Sequence, residues 1–145
     1  MGRGYPDFFG FSIYPFYGAL LDEVIDLTPQ ILGDRTSLVV VTGKGLITAL
    51  ALYCYFDVAG SNPEVDLYVD GDLIFGMNLS GMQQQGFSGG ANHLMDLGFY
   101  DPDFNYSIVN LSKEVPFGQS FEVKGCDAKA LGVKFSGHLW YYHYI

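Results

Sequence analysis

Three aspartates cluster in the segment VDLYVDGDLIFGMNL, residues 65–79, and carboxylate oxygens are the ligands that hard cations prefer. Asp70 stands with Gly71 in an Asp-Gly turn signal, and Asp66 and Asp72 lie in the alternating apolar runs on either side. A calcium site needs about six or more oxygen ligands, and this group supplies too few. The pattern therefore favours a hairpin with acids on its turn and solvent face over a metal site.

A second acidic segment, DPDFN, begins like a calcium-binding loop, with oxygen ligands at Asp101, Asp103 and Asn105. The EF-hand pattern then requires a glycine and a glutamate at positions that hold Tyr106 and Ser112. A turn built on Asx residues and proline is the favoured interpretation. A calcium site of another kind at this segment stays as the minor alternative, and the sequence predicts no cofactor.

The three histidines, His93, His138 and His143, show no catalytic or metal-binding pattern. His138 and His143 are five positions apart, so on one strand they face opposite sides of the sheet. No local serine, cysteine or aspartate signature accompanies them. The paired acids of a glycoside hydrolase meet only in the folded chain. We therefore predict a protein that is not an enzyme, with a small glycan-acting hydrolase left as the enzymatic alternative.

Aromatic side chains are the other group that could bind a partner, at 17% of the 145 residues against 16% charged residues. In the C-terminal run LGVKFSGHLWYYHYI, one alternating set is apolar, and the opposite set contains Trp140, Tyr142 and Tyr144. Such a face suits a strand covered on both sides, a subunit interface or a platform for sugar rings. An interface is favoured. The sugar-binding alternative would use Tyr68, Trp140 and Tyr142.

The first 18 residues form an arm with seven aromatic side chains, punctuated by glycine and proline and without helical or strand periodicity. Seven aromatics in a free tail would reduce solubility, so the arm is expected either to pack on its own domain or to lie on a neighbouring subunit. Residues 19–145 are predicted to form one domain. The interface residues predicted in the arm are Phe8, Phe9, Phe11 and Phe16.

The elements that must position these residues are strands, because aromatic and β-branched residues are frequent and good helix formers are scarce. About seven or eight strands separated by loop signals predict a β-sandwich of jelly-roll type. ALLDEVIDL suits a strand or a short helix, and residues 80–105 suit a long loop with at most a helical turn at 91–97. The expected strands include 37–42, 46–56 (central, because it is apolar on both faces), 106–111, 121–123 and 130–145.

The segment 65–79 predicts a hairpin with a three-residue loop, Val69 to Gly71. A two-residue loop would place the apolar residues of its two strands on opposite faces, which a buried face does not allow. A three-residue loop pairs Leu67 with Leu73 and gives Gly71 the left-handed position of a G1 bulge. The face expected to point to solvent is then Asp66, Tyr68, Asp72 and Ile74.

The net charge of −9 opposes binding to nucleic acid and to anionic lipid. The longest apolar run, residues 46–56, is shorter than the roughly 20 residues of a membrane helix. The N-terminal residues do not follow the pattern of a secretory signal. We therefore expect no nucleic acid partner and no membrane insertion.

Two cysteines and three sequons leave questions open. Cys54 and Cys126 have no metal-binding spacing; Cys54 suits a core position, and a disulfide between them cannot be judged from sequence. The sequons begin at Asn78, Asn105 and Asn110, so a surface glycan stays an open partner.

Four segments that follow the aromatic arm carry a family resemblance: the strand after GKG, the hairpin VDLYVDGDLIF, the segment EVPFGQSFEVKG and the strand ending LWYYHYI. Together, over residues 37–145, they resemble the jelly-roll structural proteins of tailed bacteriophages and archaeal viruses. The resemblance implies a capsid, decoration or tail component of a virion or another extracellular assembly. Its partners would be copies of itself and other structural proteins, and no catalytic residue is carried over.

The sequence as a whole thus predicts an all-β protein, a single jelly-roll sandwich with an aromatic N-terminal arm. Its predicted role is that of a non-enzymatic building block of a homo-oligomeric particle or filament. A carbohydrate-binding or adhesin-type module is the alternative.

Overall fold

The computed structural model describes residues 18–55, 61–87, 93–101, 106–128 and 132–144, which contain ten strands and one short helix. The aromatic arm, apart from Gly18, lies outside these ranges. The strands are β1 (Leu21–Leu27), β2 (Thr36–Thr42), β3 (Gly45–Tyr55), β4 (Glu64–Val69), β5 (Asp72–Asn78), β6 (Met95–Asp101), β7 (Tyr106–Leu111), β8 (Val115–Phe117), β9 (Ser120–Cys126) and β10 (Lys134–His143); the helix is α1 (Leu79–Gln84).

The strands form two sheets in which every pairing is antiparallel. One sheet has the order β1-β10-β3-β7-β6 with β8 also beside β3, and the other has the order β2-β9-β4-β5. The chain crosses from one sheet to the other between β1 and β2, β2 and β3, β3 and β4, β5 and β6, β8 and β9, and β9 and β10. Two four-stranded sheets, β1-β10-β3-β7 and β2-β9-β4-β5, give the jelly-roll arrangement, to which β6 and β8 are additions. The predicted all-β sandwich is confirmed.

The core lies between the two sheets and is built by alternate residues of each strand. β3 is a central strand, as predicted, and its Leu50, Leu52 and Cys54 are buried. The two sheets meet closely where Phe135 of β10 packs on Gly125 of β9, since a Cβ at Gly125 would lie 2.8 Å from the phenylalanine ring. The site requires a glycine because the aromatic ring occupies the volume of the missing side chain.

Both cysteines are buried and free, and they lie in different sheets, with Cys54 in β3 and Cys126 in β9. Burial raises the pKa of the Cys54 thiol far above its ordinary value, because the thiolate would lose its solvation. Cys54 is therefore an unreactive core residue, in agreement with the sequence prediction.

The turn between β4 and β5 differs from the predicted one in length. Val69 pairs with Asp72, so the loop contains two residues, Asp70 and Gly71, and the prediction of three was wrong. Their φ angles are +53° and +86°, which is the combination of a type I′ turn. The predicted left-handed conformation of Gly71 is confirmed.

A β-bulge in β5 explains why the predicted loop length was wrong. The prediction rejected a two-residue loop because the apolar residues of β4 and β5 would then lie on opposite faces. Tyr68 pairs with Leu73, but the next residue of β4, Leu67, pairs with Phe75. Ile74 is the extra residue, and it shifts the alternation of β5 by one position. The buried faces of the two strands therefore match after the bulge, although the turn alone would have opposed them.

The sequence predicted that Asp66 points to solvent. In the structure it is only 2% exposed, so this prediction was wrong. β4 lies between β9 and β5, and Arg35 from the β1–β2 loop lies against the Asp66 carboxylate. On the other side is Gly76 of β5, where an added Cβ would lie 2.8 Å from Asp66 Oδ1. Alternation correctly predicts that Asp66 points away from the core, but it does not reveal that neighbouring strands and loops cover that face.

Residues 80–105 are more regular than the long loop that we predicted. They include most of α1, which Asn78 caps by accepting a hydrogen bond from the Gly81 N–H at 2.7 Å, and all of β6. The helical turn expected at 91–97 was wrong over residues 95–97, which belong to β6. Residues 95–101 form a strand because they pair with β7. The bulge at Gly98 interrupts the alternation of core-facing and outward residues, so the sequence does not show a strand pattern here. ALLDEVIDL, which was left as strand or helix, forms β1.

Asp70 also ties the hairpin to a second loop at the same end of the sandwich. Its carboxylate accepts hydrogen bonds from the backbone N–H groups of Gly118, Gln119 and Ser120 at 3.1, 2.6 and 3.0 Å. These bonds lower the pKa of Asp70, because they stabilise the charged form. The residue that appeared to serve only the turn therefore joins the β4–β5 hairpin to the β8–β9 loop.

Candidate functional site on the six-stranded sheet

The outer face of β10 carries the residues that the sequence predicted for an interface. Phe135, Leu139 and Tyr141 are buried in the core, whereas Trp140 and Tyr142 alternate with them and are half-buried on the outer side. The predicted division of this strand into a core face and an outer face is confirmed for its described residues.

Neighbouring strands extend this outer face with side chains that sequence reasoning did not select. Tyr53 and Tyr55 of β3 pair with Ser136 and Lys134 of β10, and Tyr55 is 51% exposed. Further along the sheet Phe99 of β6 is 44% exposed, and on the other side of β10 Val24 of β1 is 68% exposed. We call this surface the aromatic face: Val24, Tyr53, Tyr55, Phe99, Trp140 and Tyr142.

Trp140 is held in place by a chain of contacts within the face. Its ring stacks on the ring of His138, with centroids 5.4 Å apart and an angle of 20° between the planes. His138 Nδ1 in turn lies 3.1 Å from Asp22 Oδ1 of β1. A side chain ordered in this way loses little conformational entropy when a partner covers it. Ordered tryptophans of this kind are frequent among the residues that dominate binding energy.

The charges of this region lie along β1. Asp26 pairs with Lys134 at 3.3 Å, and Asp22 pairs with His138. Both contacts are exposed to water, so they contribute little to stability. Lys134 is the register partner of Tyr55, and Asp96 lies on the outer side of β6, so charged residues border the six side chains of the aromatic face.

The N-terminal arm joins the domain beside this face. The N–H of Gly18 donates a hydrogen bond to the carbonyl of His143 at 3.1 Å, next to Tyr142 and Tyr144. Tyr144 lies under the ammonium group of Lys44, 5.6 Å from its ring centre. The predicted interface residues of the arm lie outside the described residues: Phe8, Phe9, Phe11 and Phe16.

The structure does not bring the predicted sugar platform together. Tyr68 lies on the outer side of the four-stranded sheet, with the ammonium of Lys124 4.8 Å from its ring centre. Trp140 and Tyr142 belong to the other sheet, on the opposite side of the sandwich. A single flat ligand cannot contact all three rings.

No group of three or more histidine, cysteine, aspartate or glutamate side chains is placed to hold a metal ion within the described ranges. For the minor calcium alternative, Asp103 and Asn105 lie outside those ranges, and only the backbone of Asp101 is described. His143 lies 2.9 Å from the carbonyl of Thr42, away from the Asp22 contact of His138, in keeping with their predicted opposite orientations. In the described part of the chain no helix is long and apolar enough to cross a membrane.

Two of the three sequons fall within the described residues. Asn78 uses its side-chain oxygen to cap α1 and also lies 3.2 Å from the hydroxyl of Ser80. Asn110 is in β7, opposite Ala51 and Asp96, and its amide fills the space above Gly98. Glycosylation at these positions and at Asn105 stays a prediction.

The aromatic residues of β3 and β6 were missed for different reasons. Tyr53 and Tyr55 alternate with the buried Leu52 and Cys54, so the sequence LALYCY indicates the two faces of β3. Tyrosine occurs on buried and on exposed faces, so its presence did not identify the outer one. Phe99 lies in a segment that was interpreted as a loop, and no periodicity signals its place on the outer face.

Comparisons with known proteins were made with the whole chain. No protein-family model and no curated protein sequence matches it. Two similar solved structures are both viral. The structure of the Gx strain of infectious bursal disease virus has a TM-score of 0.45 and 13% identity over 88% of this chain and 33% of that chain. The crystal structure of the VP2 subviral particle of that virus has a TM-score of 0.42 and 12% identity over 87% of this chain and 33% of that chain. The chain thus spans about a third of the length of each.

Proposed function

We propose that this protein is a non-enzymatic structural protein that assembles with copies of itself through the aromatic face. The observation that carries the proposal is the face itself: six apolar or aromatic side chains from four strands of one sheet, with Trp140 ordered by His138 and Asp22. A surface of this composition resembles the centre of a subunit interface, where tryptophan and tyrosine are enriched and charge is depleted.

A second copy of this chain suits the face better than an unrelated partner. Two copies with a net charge of −9 repel each other, and the repulsion is smaller where the contacting side chains are uncharged, as the six side chains of the aromatic face are. The arm also enters the domain at Gly18, beside the end of β10, so its aromatic residues start next to the face. We infer that Phe8, Phe9, Phe11 and Phe16 complete the contact by covering a neighbouring copy.

The setting that we propose is a virion, as a capsid, decoration or tail component. The support for it is the resemblance of segments in residues 37–145 to jelly-roll structural proteins of tailed bacteriophages and archaeal viruses, together with the jelly-roll strand order. Other structural proteins of the same particle would be the further partners. Residues 1–18 would act as the connecting arm and residues 19–145 as the building block.

The test is the oligomeric state of the full-length chain and of a Trp140→Ala variant, measured by sedimentation velocity over a range of concentrations. We expect the wild-type chain to associate and the variant to dissociate at concentrations at least about tenfold higher, as for a residue that contributes about 1.4 kcal/mol or more to binding. Circular dichroism would verify that the variant is folded.

Tyr68→Ala is the matched control, because Tyr68 is also an outward aromatic in a central strand but belongs to the opposite sheet. It should associate like the wild type. A strictly monomeric wild-type chain at high concentration would overturn the proposal. Equal weakening by both substitutions would show that the aromatic face is not the interface. Deletion of residues 1–17 tests the arm separately and should also weaken association.

A further inference from the structure

Three side chains form a compact cluster on the outer side of the four-stranded sheet. Arg35 Nε donates to Asp66 Oδ2 at 2.6 Å, and Arg35 Nη2 donates to Glu64 Oε2 at 2.7 Å. Arg35 belongs to the loop between β1 and β2, whereas Glu64 and Asp66 belong to β4. The cluster therefore fastens a loop to a central strand, and one guanidinium is shared by two carboxyl groups.

Asp66 cannot be satisfied as a simple carboxylate in this cluster. It is 2% exposed, and its Oδ1 receives no hydrogen bond from any residue that the structure describes. A buried carboxylate oxygen without a donor is costly, and protonation removes that cost by turning the oxygen into a donor. Its neighbour Glu64 is within hydrogen-bonding reach and could accept that proton.

The groups around Asp66 support a proton on the pair. Loss of solvation and the neighbouring Glu64 carboxyl together raise the pKa of Asp66 to about 6, against the opposing effect of Arg35. On β9, Lys124 is the register partner of Asp66, but its ammonium lies over the Tyr68 ring. Cys126 follows on β9, with Asp127 beside it, and β5 offers only Gly76.

The loop that Arg35 fastens carries two exposed apolar side chains. Ile31 is 65% exposed and Leu32 is 52% exposed, and both lie in a turn closed by the Asp34 N–H to Ile31 carbonyl bond of 3.1 Å. The Gly33 N–H donates to the carbonyl of Asp127 at 3.0 Å, next to the end of β9. Arg35 fastens the same segment to β4, so we expect the attachment of the turn to depend on the Arg35 contacts as well.

We propose that Arg35, Glu64 and Asp66 form a proton-operated clasp, which holds the β1–β2 turn and its apolar tip more firmly at pH 5 than at pH 7. At pH 5 the two carboxyl groups share a proton and one negative charge, which Arg35 neutralises. At pH 7 both carboxyl groups are ionised beside a single guanidinium, and the second negative charge is buried without compensation. The clasp functions whether or not the chain assembles.

The sign of the pH effect follows from the direction of the shift. Because the folded state binds this proton more tightly than the unfolded state, the folded state gains stability as the pH falls through about 6 and until about 4. Between pH 7 and pH 5 the contribution of Asp66 to the folding equilibrium constant is about tenfold. Most carboxylates that form ion pairs act in the opposite direction.

The direct test is a carbon-13 NMR titration of the side-chain carboxyl groups in the full-length protein. We expect Asp66 to titrate with a midpoint near 6. A single midpoint near 4 for Asp66 would overturn the proposal, because the buried pair would then hold no proton at pH 5. This measurement uses the wild-type chain and does not depend on the folding of any variant.

The second test compares urea unfolding of wild type, Asp66→Asn and Asp72→Asn at pH 5 and pH 7. Asparagine imitates the protonated carboxyl, so Asp66→Asn should lose the acid-induced gain, and the wild-type gain should exceed it by about tenfold in equilibrium constant. Asp72 is an exposed residue of the same hairpin, and its substitution should keep the gain. Because all three chains share the general effect of net charge, an identical pH response in all of them would overturn the clasp.

Amide hydrogen exchange provides the readout at the loop. Corrected for the intrinsic effect of pH, exchange at residues 28–36 should be slower at pH 5 than at pH 7 in the wild type and equal at the two values in Asp66→Asn. An unchanged exchange rate in the wild type would show that protonation does not fasten the turn, even if Asp66 titrates near 6.

Discussion

Individual aspartates of the β4–β5 hairpin differ in ionisation because their surroundings differ. Asp70 accepts three backbone hydrogen bonds, which lower its pKa, whereas Asp66 is buried beside a second carboxyl, which raises its pKa to about 6. The two residues are only four positions apart in the same hairpin. Asp66 lies in β4 and Asp70 lies in the turn. At this scale the donors and the solvation around each carboxyl determine its charge.

Substitution of Asp70 by Ala should lower the unfolding temperature at neutral pH. The change removes the acceptor for the N–H groups of Gly118, Gln119 and Ser120, so only the backbone bond from Asp70 N–H to the carbonyl of Ser120 would still join this end of the hairpin to the loop. Differential scanning calorimetry at pH 7 measures the effect. Asp72→Ala, an exposed position in the same hairpin, is the control and should unfold close to the wild-type temperature.

The stability that Asp70 contributes should also depend on pH in a defined direction. Because its folded-state pKa is below the ordinary value, the contribution is complete at neutral pH and is lost as the pH falls below the ordinary aspartate range near 4. The difference in unfolding temperature between wild type and Asp70→Ala should therefore shrink at about pH 2 to 3. A difference that grows under acid conditions would contradict the role of the charged form.

At the scale of the elements, β10 is the strand on which both the core and the aromatic face depend. It pairs with β1 on one side and β3 on the other, and it presents Phe135 and Leu139 to the core. Its Gly137 lies so close to β3 that an added Cβ would collide with the carbonyl oxygen of Ala51. That glycine is therefore required by the approach of two central strands.

Gly137→Ala should lower the free energy of unfolding by about 3 kcal/mol, because the methyl group would meet backbone atoms that cannot move aside separately. Urea denaturation of wild type and variant measures the loss. Gly18→Ala is the matched control, since no atom of the described residues beyond its chain neighbours lies within 4 Å of the position of its Cβ. It should stay within about 0.5 kcal/mol of the wild type, and an equal loss in both variants would contradict the steric explanation.

The whole molecule combines a high net negative charge with a group of uncharged aromatic side chains on one sheet. The outer side of the other sheet has a different character, with Arg35 between Glu64 and Asp66 and with Lys124 over Tyr68. The two sides are therefore unequal. If copies associate through the aromatic side chains, their net charge opposes the association, and we expect the oligomeric state to depend on the ionic medium.

Association through the aromatic face should become stronger at higher salt. Raising the salt concentration from about 0.1 M to about 1 M shortens the Debye length from about 10 Å to about 3 Å and screens the repulsion between copies. Sedimentation velocity of the wild type at both concentrations measures the dissociation constant, which should fall several-fold. Trp140→Ala should remain the weaker associator at both, and dissociation of the wild type at high salt would instead indicate an interface made of ion pairs.

The parts of the fold that depend on local pattern could be predicted from the sequence. Alternation was sufficient to separate the two faces of β10 and to identify β3 as a central strand, because side-chain direction in a strand has a period of two. The Asp-Gly pair was sufficient to locate a turn and the left-handed Gly71. Local pattern failed at bulges: the one at Ile74 changed the loop length, and the one next to Gly98 hid β6.

The candidate site was predictable only in the part that lies on a single strand. Trp140 and Tyr142 were selected because their neighbours along the chain define the core side. Tyr53, Tyr55 and Phe99 join them only through pairing in register between β10, β3, β7 and β6. Tyr68, which the sequence grouped with Trp140 and Tyr142, belongs to the other side of the sandwich, since spacing along the chain does not specify the sheet.

The acidic hairpin separates what the sequence determines from what only the tertiary structure decides. Composition and alternation by themselves determined an all-β chain with a hairpin within residues 65–79 and an outward aromatic strand at its C-terminus, because propensity and side-chain direction act between near neighbours. Only the tertiary structure decided that Asp66 is buried under Arg35, that Asp70 joins the hairpin to the β8–β9 loop, and which aromatic side chains share a face. Burial and charge partners come from residues that are distant in the chain, such as Arg35 and Gly118, so no local pattern encodes them.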